Sequence, residues 1–327
     1  MIFSLASCGE SQQTEQTVES EAEAETTAPA ETEAPAEASS MVTTTTAPKV
    51  TTTTTTTQPP LPVMMTYQDY YDRNNDMRGW IKVGGTPIDY PCVQGTDNKY
   101  YLTHNFDNEE DKNGACFIDW MCDFSNTRVR PANTIIYGHN MIQGPSFAKL
   151  TTYCPWYYSM YNKSLDQYLN NPTITFDTIW EEGTYKVFAA MFVNTQAAHG
   201  EVFKYYKQRT IKNEGEFYDY IGRIMDRSLF YTDVDLEYGD ELLTLSTCYY
   251  PFGKEVDTRF VVFARRVREG EDPTVDVSNA YINPSPLYFD YWYKVNGGSW
   301  AGRSWDTSKV KGFDKYYETH EVGPMPE

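Results

Sequence analysis

Leu242-Leu243-Thr244-Leu245-Ser246-Thr247-Cys248 is an apolar, Thr-interrupted run of strand length, and Thr258-Arg259-Phe260-Val261-Val262-Phe263 is a second such run close behind it. The first ends on a thiol and the second begins on a guanidinium. Upstream, the β-branched run Thr134-Ile135-Ile136-Tyr137 delivers Gly138-His139-Asn140, so a histidine stands at the C-terminal edge of a third strand. Three strand ends can converge on one cleft. Cysteine, histidine and arginine in that arrangement form a cysteine-nucleophile constellation.

Chemistry sorts the three roles. A thiol with an unshifted pKa of about 8.5 is only about 3% thiolate at pH 7, so catalysis needs a neighbouring cation or an imidazole partner. His139 is the residue able to shuttle a proton and to hand it to a leaving amine. Arg259 stays charged at any working pH, and its planar fork of donors suits an oxyanion rather than proton transfer. Each residue also has a duller reading. A strand-end cysteine is commonly a small buried hydrophobe, a Tyr-Gly-His turn is often structural, and an arginine at a strand start is often one half of a rim ion pair.

The rest of the chain reads outward from these strands. Tyr67 to Arg78 spaces its aromatics at helical intervals, and Gly79 is expected to end that helix. Trp80–Val83 and Ile88–Val93, joined through Gly84-Gly85, predict a hairpin-like pair. Ala115–Asp119, Thr134–Tyr137, Thr173–Asp177 and Tyr185–Val193 predict four more strands, with a short helix over Ser146–Tyr153. Between residues 201 and 229 the apolar spacing changes to threes and fours, which predicts one or two amphipathic helices. Short strands with interspersed helices give a mainly β fold, a barrel or sandwich core carrying helical insertions.

Composition sets the ends apart. Residues 9 to 60 hold nine Glu, one Lys and no aromatic residue, among Thr, Ala, Pro and Ser. Such a segment cannot bury enough apolar surface to offset its ordering entropy, so a disordered stalk is expected. On flexible-chain scaling about fifty residues span roughly 35–45 Å, and acidic charge and prolines extend that reach. Ahead of it, Leu5-Ala6-Ser7-Cys8 matches the lipobox of bacterial lipoproteins, which makes Cys8 a lipidation candidate. Seven residues are too few for a complete signal peptide, so the segment reads as truncated. No apolar run is long enough for a membrane-spanning helix.

The net charge is −19, from 27 Lys and Arg against 46 Asp and Glu. No basic cluster points to nucleic acid or to an anionic membrane surface. Cysteines at 8, 92, 116, 122, 154 and 248 include no CxxC pair and have no histidine at ligand spacing, so neither a metal nor another cofactor is expected. The middle four leave a disulfide open, and its connectivity is not readable from sequence. His104, His199 and His320 read as surface or loop residues.

Taken together, Gly79-Trp80-Ile81, Ile88-Asp89-Tyr90-Pro91, Asp97-Asn98-Lys99-Tyr100-Tyr101-Leu102, Gly114-Ala115-Cys116-Phe117-Ile118-Asp119, Ile136-Tyr137-Gly138-His139, Thr244-Leu245-Ser246-Thr247-Cys248 and Arg259-Phe260-Val261-Val262 resemble a class B sortase. The helical stretch at 201–229, ahead of the Cys248 strand, matches the insertion of that class. The resemblance runs from about Tyr67 to Arg268. It implies a sortase-type barrel of about eight strands and a cysteine transpeptidase. Such enzymes cleave a C-terminal sorting signal after Thr, typically one beginning Asn-Pro, and hold the substrate as a thioester. They then pass it to an amine of the cell wall or of a pilin. By matching motif it gives Cys248, His139 and Arg259 the catalytic roles and puts Asn98, Leu102, Tyr137 and Ser246 in the substrate groove. Asn98 also reads as a turn residue.

The implied setting is the outer face of a Gram-positive membrane, with the chain tethered through its N-terminus. The implied partners are surface proteins bearing a sorting signal and a peptidoglycan-precursor or pilin amine. The expected organisation is a truncated lipobox-like segment at 1–8, a stalk at 9–65, a catalytic domain at 66–268 and an aromatic-rich extension at 269–327. Two departures from the class stand out: a lipobox and stalk in place of a membrane helix, and the extension, whose aromatic residues are expected to pack on the barrel. Of the rival readings, a papain-like hydrolase expects its cysteine before its histidine, the reverse of the order here. An inactive lipoprotein-like binding module is at odds with an intact Cys248, His139 and Arg259.

Overall fold

The two runs that open the sequence argument form the longest ladder of the fold together with a third strand. In the computed structural model, which describes residues 58–141, 146–157 and 163–320, they are β8 (Leu242–Tyr249) and β9 (Thr258–Arg266), and β9 also pairs with β6 (Thr184–Asn194). The remaining barrel strands are β1 (Met77–Val83), β2 (Asp89–Val93), β3 (Cys116–Ile118), β4 (Asn133–Tyr137) and β5 (Thr173–Thr178), the last entered from a short helix α2 (Asp166–Asn170). They close in the order β1-β2-β3-β4-β8-β9-β6-β5, an eight-stranded barrel with no free edge. The fold expected from the resemblance is the one observed. Cys8 and the stalk as far as residue 57 lie outside the described residues.

Both faces of the β6–β9–β8 ladder are covered, and this is why those runs are apolar without alternation. Leu243, Leu245, Phe260 and Val262 point into the barrel, where they meet Ile136 and Phe176. Leu242, Val261, Phe263, Phe188 and Met191 point outward, under helix α3 (Glu214–Arg227). Asn213 starts that helix by accepting the backbone N–H of Glu216. Phe217, Ile221, Ile224 and Met225 form the stripe it lays on the barrel. Only this part of the 201–229 insertion is α-helical; Tyr205–Lys207 is a single 3₁₀ turn. The helix expected over Ser146–Tyr153 is likewise 3₁₀, at Ala148–Tyr153.

One expectation fails at the N-terminal edge. Helix α1 covers Met65–Arg73 and stops well short of Gly79. The buried Asn74 ends it. Its Nδ2 donates to the Tyr101 hydroxyl and to the Phe106 carbonyl, while its Oδ1 accepts from the Asp76 N–H, which turns the chain into β1. Gly79 is therefore a strand residue, paired with Thr178 of β5 and Cys92 of β2. A Cβ there would lie 2.2 Å from the Asp177 carbonyl oxygen. Close approach of two backbones, and not helix termination, requires the glycine.

The described residues from Pro60 onward belong to one compact unit that includes the C-terminal extension as far as residue 320. Strand β10 (Tyr281–Ile282) pairs with β7 (Phe230–Tyr231), which follows α3. Helix α4 (Asp290–Asn296) and the residues before it bring Tyr288 and Phe289 against Phe192. Helix α5 (Phe313–Tyr317) sets Phe313 beside Trp305 and Tyr218 of α3. Phe289, Trp305 and Phe313 are buried, so these aromatics of the tail do pack on the core.

Candidate active site

The ladders fix the relative places of the three sequence-predicted groups. Cys248 stands directly opposite Arg259 in the antiparallel β8–β9 pair. On the other side of β8, β4 runs parallel with Tyr137 beside Ser246, and the Gly138 N–H donates to the Ser246 carbonyl at 3.1 Å. The chain thus reaches His139 as β8 reaches Cys248. Asn140 ties the two ends together, its Nδ2 donating to the Cys248 carbonyl at 2.6 Å. Gly138 is required because a Cβ would sit 2.6 Å from the Phe147 ring, which tucks beneath this turn while the Phe147 N–H donates to the His139 carbonyl.

His139 is held at one nitrogen. Its Nε2 lies 2.8 Å from the Leu102 carbonyl oxygen, which can only accept, so Nε2 carries the hydrogen and Nδ1 is the basic nitrogen of the neutral ring. Arg259 is bonded to the Asp257 carboxylate and, at 2.9 Å, to the Thr258 carbonyl. Burial alone would lower its pKa. The negative charge of a Cys248 thiolate and of Asp257 outweighs that and holds it above the ordinary arginine value. Cys248 is half-buried, whereas Cys92, Cys116, Cys122 and Cys154 are free thiols enclosed in the core. Burial pushes the thiols of Cys122 and Cys154 up to about 12. Among the described cysteines, Cys248 is therefore the one placed to react.

Of the four groove residues implied by resemblance, Leu102 and Ser246 reach this rim and Asn98 and Tyr137 flank it. Leu102 is 38% exposed, and its backbone carries the carbonyl that holds His139. Ser246 is buried, and its hydroxyl is 2.6 Å from that of Tyr205, whose pKa burial raises to about 12. Asn98 and Tyr137 both donate to Oδ2 of Asp119, at 3.0 and 2.8 Å. The turn is made by Asp97, which accepts the N–H groups of Lys99 and Tyr100, so the Asn98 side chain is free of that task.

Sequence reasoning missed Asp119, Arg209, Tyr205, Asn140 and Asp257. Tyr250 belongs with them: burial first, then a hydrogen bond to Cys248, raises the pKa of its phenol. Asp119 carried a readable signal, a lone carboxylate closing a fully apolar strand. Arg209, Tyr205 and Asn140 carried none, because their partners lie far away along the chain, whereas Asp257 and Tyr250 each sit two positions from the residue they bond, Arg259 and Cys248.

A closed barrel on which a half-buried cysteine and a half-buried arginine face each other across two strands, with a histidine delivered by a third, is a cysteine-nucleophile site built on β structure. The family of sortase domains matches residues 81–267, and the chain belongs to the sortase family. Its relatives place it in class B. Sortase B of Listeria monocytogenes is 32% identical over 181 residues, which are 55% of this chain and 66% of that protein, just under two thirds of its length. A Staphylococcus aureus sortase B–substrate complex superposes with a TM-score of 0.53 at 26% identity, covering 63% of this chain and 86% of that one. A sortase B complexed with triglycine superposes with a TM-score of 0.51 at 27% identity, covering 62% and 85%. The family match sets aside the papain-like reading.

Proposed function

We propose that this chain is a cysteine transpeptidase that sorts proteins to the cell wall. The observation that carries the reading is the direct opposition of Cys248 and Arg259 at the end of the β8–β9 ladder, with His139 brought level by β4. In this reading Cys248 passes its proton to His139 Nδ1, and Sγ attacks the carbonyl carbon of the Thr in a sorting signal of Asn-Pro-x-Thr type. Arg259 stabilises the oxyanion that forms. As the C–N bond breaks, protonated His139 gives its Nδ1 proton to the leaving amine, and the substrate remains as a thioester on Cys248. An incoming amine then loses a proton to His139 and displaces the thiolate, which completes the cycle with no net change in the enzyme.

The acceptor is an amine of a peptidoglycan precursor or of a pilin; a relative crystallised with triglycine supports a small N-terminal amine. Asn98, Leu102, Tyr137 and Ser246 form the signal-binding groove, Leu102 through its exposed side chain. The setting is the extracellular face of a Gram-positive membrane, reached through a lipid on Cys8 and the stalk that follows it, which gives way to the compact unit at Pro60 rather than at residue 66. The catalytic domain is 66–268, and 269–327 is an extension of it. The support for tether and stalk is the sequence of residues 1–60 alone.

Intact-mass spectrometry with an Asn-Pro-x-Thr peptide, with and without triglycine, tests the chemistry. The expected result is an acyl adduct on the native chain, none on Cys248→Ala, and a ligated product when triglycine is present. An adduct on the variant, or one mapped to Cys92, Cys116, Cys122 or Cys154, would overturn it.

A further inference from the structure

Asp119 closes the apolar strand β3, and its side chain is 0% exposed. Removing a carboxylate from water costs several kcal/mol unless donors surround it. Here they do. The Met121 N–H donates to Oδ1 at 2.9 Å, Asn98 and Tyr137 donate to Oδ2, and Arg209 clamps both oxygens, Nε to Oδ1 at 2.7 Å and Nη2 to Oδ2 at 3.0 Å. The donors come from segments far apart in sequence. A buried charge that collects such donors costs stability relative to an apolar contact, and what it gives in return is a fixed arrangement of the segments it joins.

Each of those segments leads to the site. Asn98 opens the turn that ends at Leu102, whose carbonyl holds His139 Nε2. Tyr137 is the last residue of β4, two positions before His139. The Arg209 carbonyl accepts the N–H of Asn133 at the start of β4, and the same stretch carries Tyr205, the partner of Ser246. Cys248 and Arg259 are held differently, by the β8–β9 ladder and by Asp257.

We infer that Asp119 is a positioning residue that sets the histidine side of the site and the polarity of the adjoining groove, leaving the thiol–guanidinium side to the barrel. This rests on the transpeptidase reading of Cys248 and His139. The polarity follows from donor counting. Asn98 spends one amide hydrogen on Asp119, and its Oδ1 accepts from the Trp120 N–H at 3.0 Å, so the amide cannot flip and one N–H is left to offer. Tyr137 spends its only hydrogen on Asp119 and is left as an acceptor. One fixed donor and one fixed acceptor suit the C=O and N–H of an extended peptide.

The test compares the native chain with Asp119→Asn and with the double variant Asp119→Asn/Arg209→Met. The double variant leaves no unpaired buried charge, so it carries the test should the single variant fail to fold. Three quantities are read: kcat and KM with an Asn-Pro-x-Thr peptide and triglycine, the rate of Cys248 alkylation by iodoacetamide, and the melting temperature. Misplacing the proton donor by about 1 Å should lower kcat/KM by about 10²-fold, with a fall in kcat included, while alkylation stays within about twofold of native. A folded variant that turns over peptide within about threefold of native overturns the inference. So does a parallel loss of alkylation and turnover, which would make Asp119 a general support of the barrel. A native chain with no turnover overturns the transpeptidase reading and this inference with it, a result distinct from native-like variants of an active enzyme.

Discussion

Replacing Glu271 with alanine should destabilise the whole barrel, although Glu271 lies beyond the last residue of the sortase-domain match, which ends at 267. Its carboxylate accepts from Arg265 at 2.5 and 2.7 Å, from Lys186 Nζ at 2.7 Å and from the Arg268 N–H at 2.9 Å. The Arg265 side chain is 1% exposed and that of Lys186 9%. Without Glu271 the lysine loses its ion-pair partner, and Arg265 keeps Asp235 at 2.6 Å and two backbone carbonyls. Removing one partner of a buried pair costs about 3–5 kcal/mol, and the surviving Asp235 contact argues for the lower end, about 3 kcal/mol. At about 2–4 °C per kcal/mol this is a fall in Tm of about 6–12 °C, measured by calorimetry.

The pH dependence has a definite sign. The Arg265 hydrogen bonds, against a smaller opposing effect of burial, hold the Glu271 carboxyl well below the ordinary glutamate range. The native state therefore binds that proton more weakly than the unfolded chain does. The stabilisation is complete above the unfolded pKa of about 4.3 and is lost as the pH falls below it. The gap between native and variant should thus be widest at neutral pH and shrink in acid. A difference under about 1 kcal/mol at pH 7, or one that grows on acidification, would refute the reasoning and make residues beyond 268 an appendage.

Two further substitutions probe other parts of the fold and site. Gly79→Ala places a Cβ 2.2 Å from the Asp177 carbonyl and 2.7 Å from the Phe176 ring, both in the neighbouring strand β5. The urea midpoint should fall by the equivalent of about 1–3 kcal/mol, and an unchanged midpoint would mean that β1 and β5 do not meet there. Arg259→Lys keeps the charge and loses the planar fork, so kcat should drop by about 10²–10³-fold with folding intact. Native-like kcat in a peptide-turnover assay would reduce Arg259 to a rim ion pair with Asp257.

The strands were legible because their signal is local. Non-alternating runs such as Leu242–Leu245, interrupted only by Thr244, and Val261–Phe263 follow from burial on two faces, and each of Cys248, His139 and Arg259 stands at the edge of such a run. What escaped reading is set by partners distant in the chain. Asn74 ends α1 through Tyr101 and Phe106, so the helical spacing of Tyr67, Tyr70 and Tyr71 continued on paper into residues that are a strand. Resemblance puts Ser246 in the groove, and its hydroxyl meets Tyr205, from a 3₁₀ turn inside a stretch that reads as helix. Asn98 reads as a turn residue, but its amide crosses to Asp119, 21 positions away. Polar side chains of this kind are satisfied by tertiary contacts, and no periodicity announces them.

The division between legible and hidden residues coincides with a division in how the site is held. Cys248 and Arg259 face each other across adjacent, fully paired strands, so their separation is fixed by the ladder spacing of about 5 Å and needs no further device. His139 lies in no ladder: Gly138 and Asn140 beside it bond to the Ser246 and Cys248 carbonyls and the Phe147 N–H to its own carbonyl, but no strand pairs with it. It lies past the end of β4, and its ring is held by the Leu102 carbonyl, itself on a turn outside the barrel ladder. On the proposed mechanism His139 is the proton donor, and such a group must stay within a fraction of an ångström of its productive position while acyl and amine groups exchange in front of it. Backbone pairing supplies that precision on one side of the site. On the other side a few isolated backbone bonds are supplemented by side chains, and the buried Asp119 joins the Asn98 turn, the end of β4 and the Arg209 stretch at one carboxylate. Substitutions in the ladder should therefore alter thiol reactivity and turnover together, whereas substitutions around Asp119 should separate them.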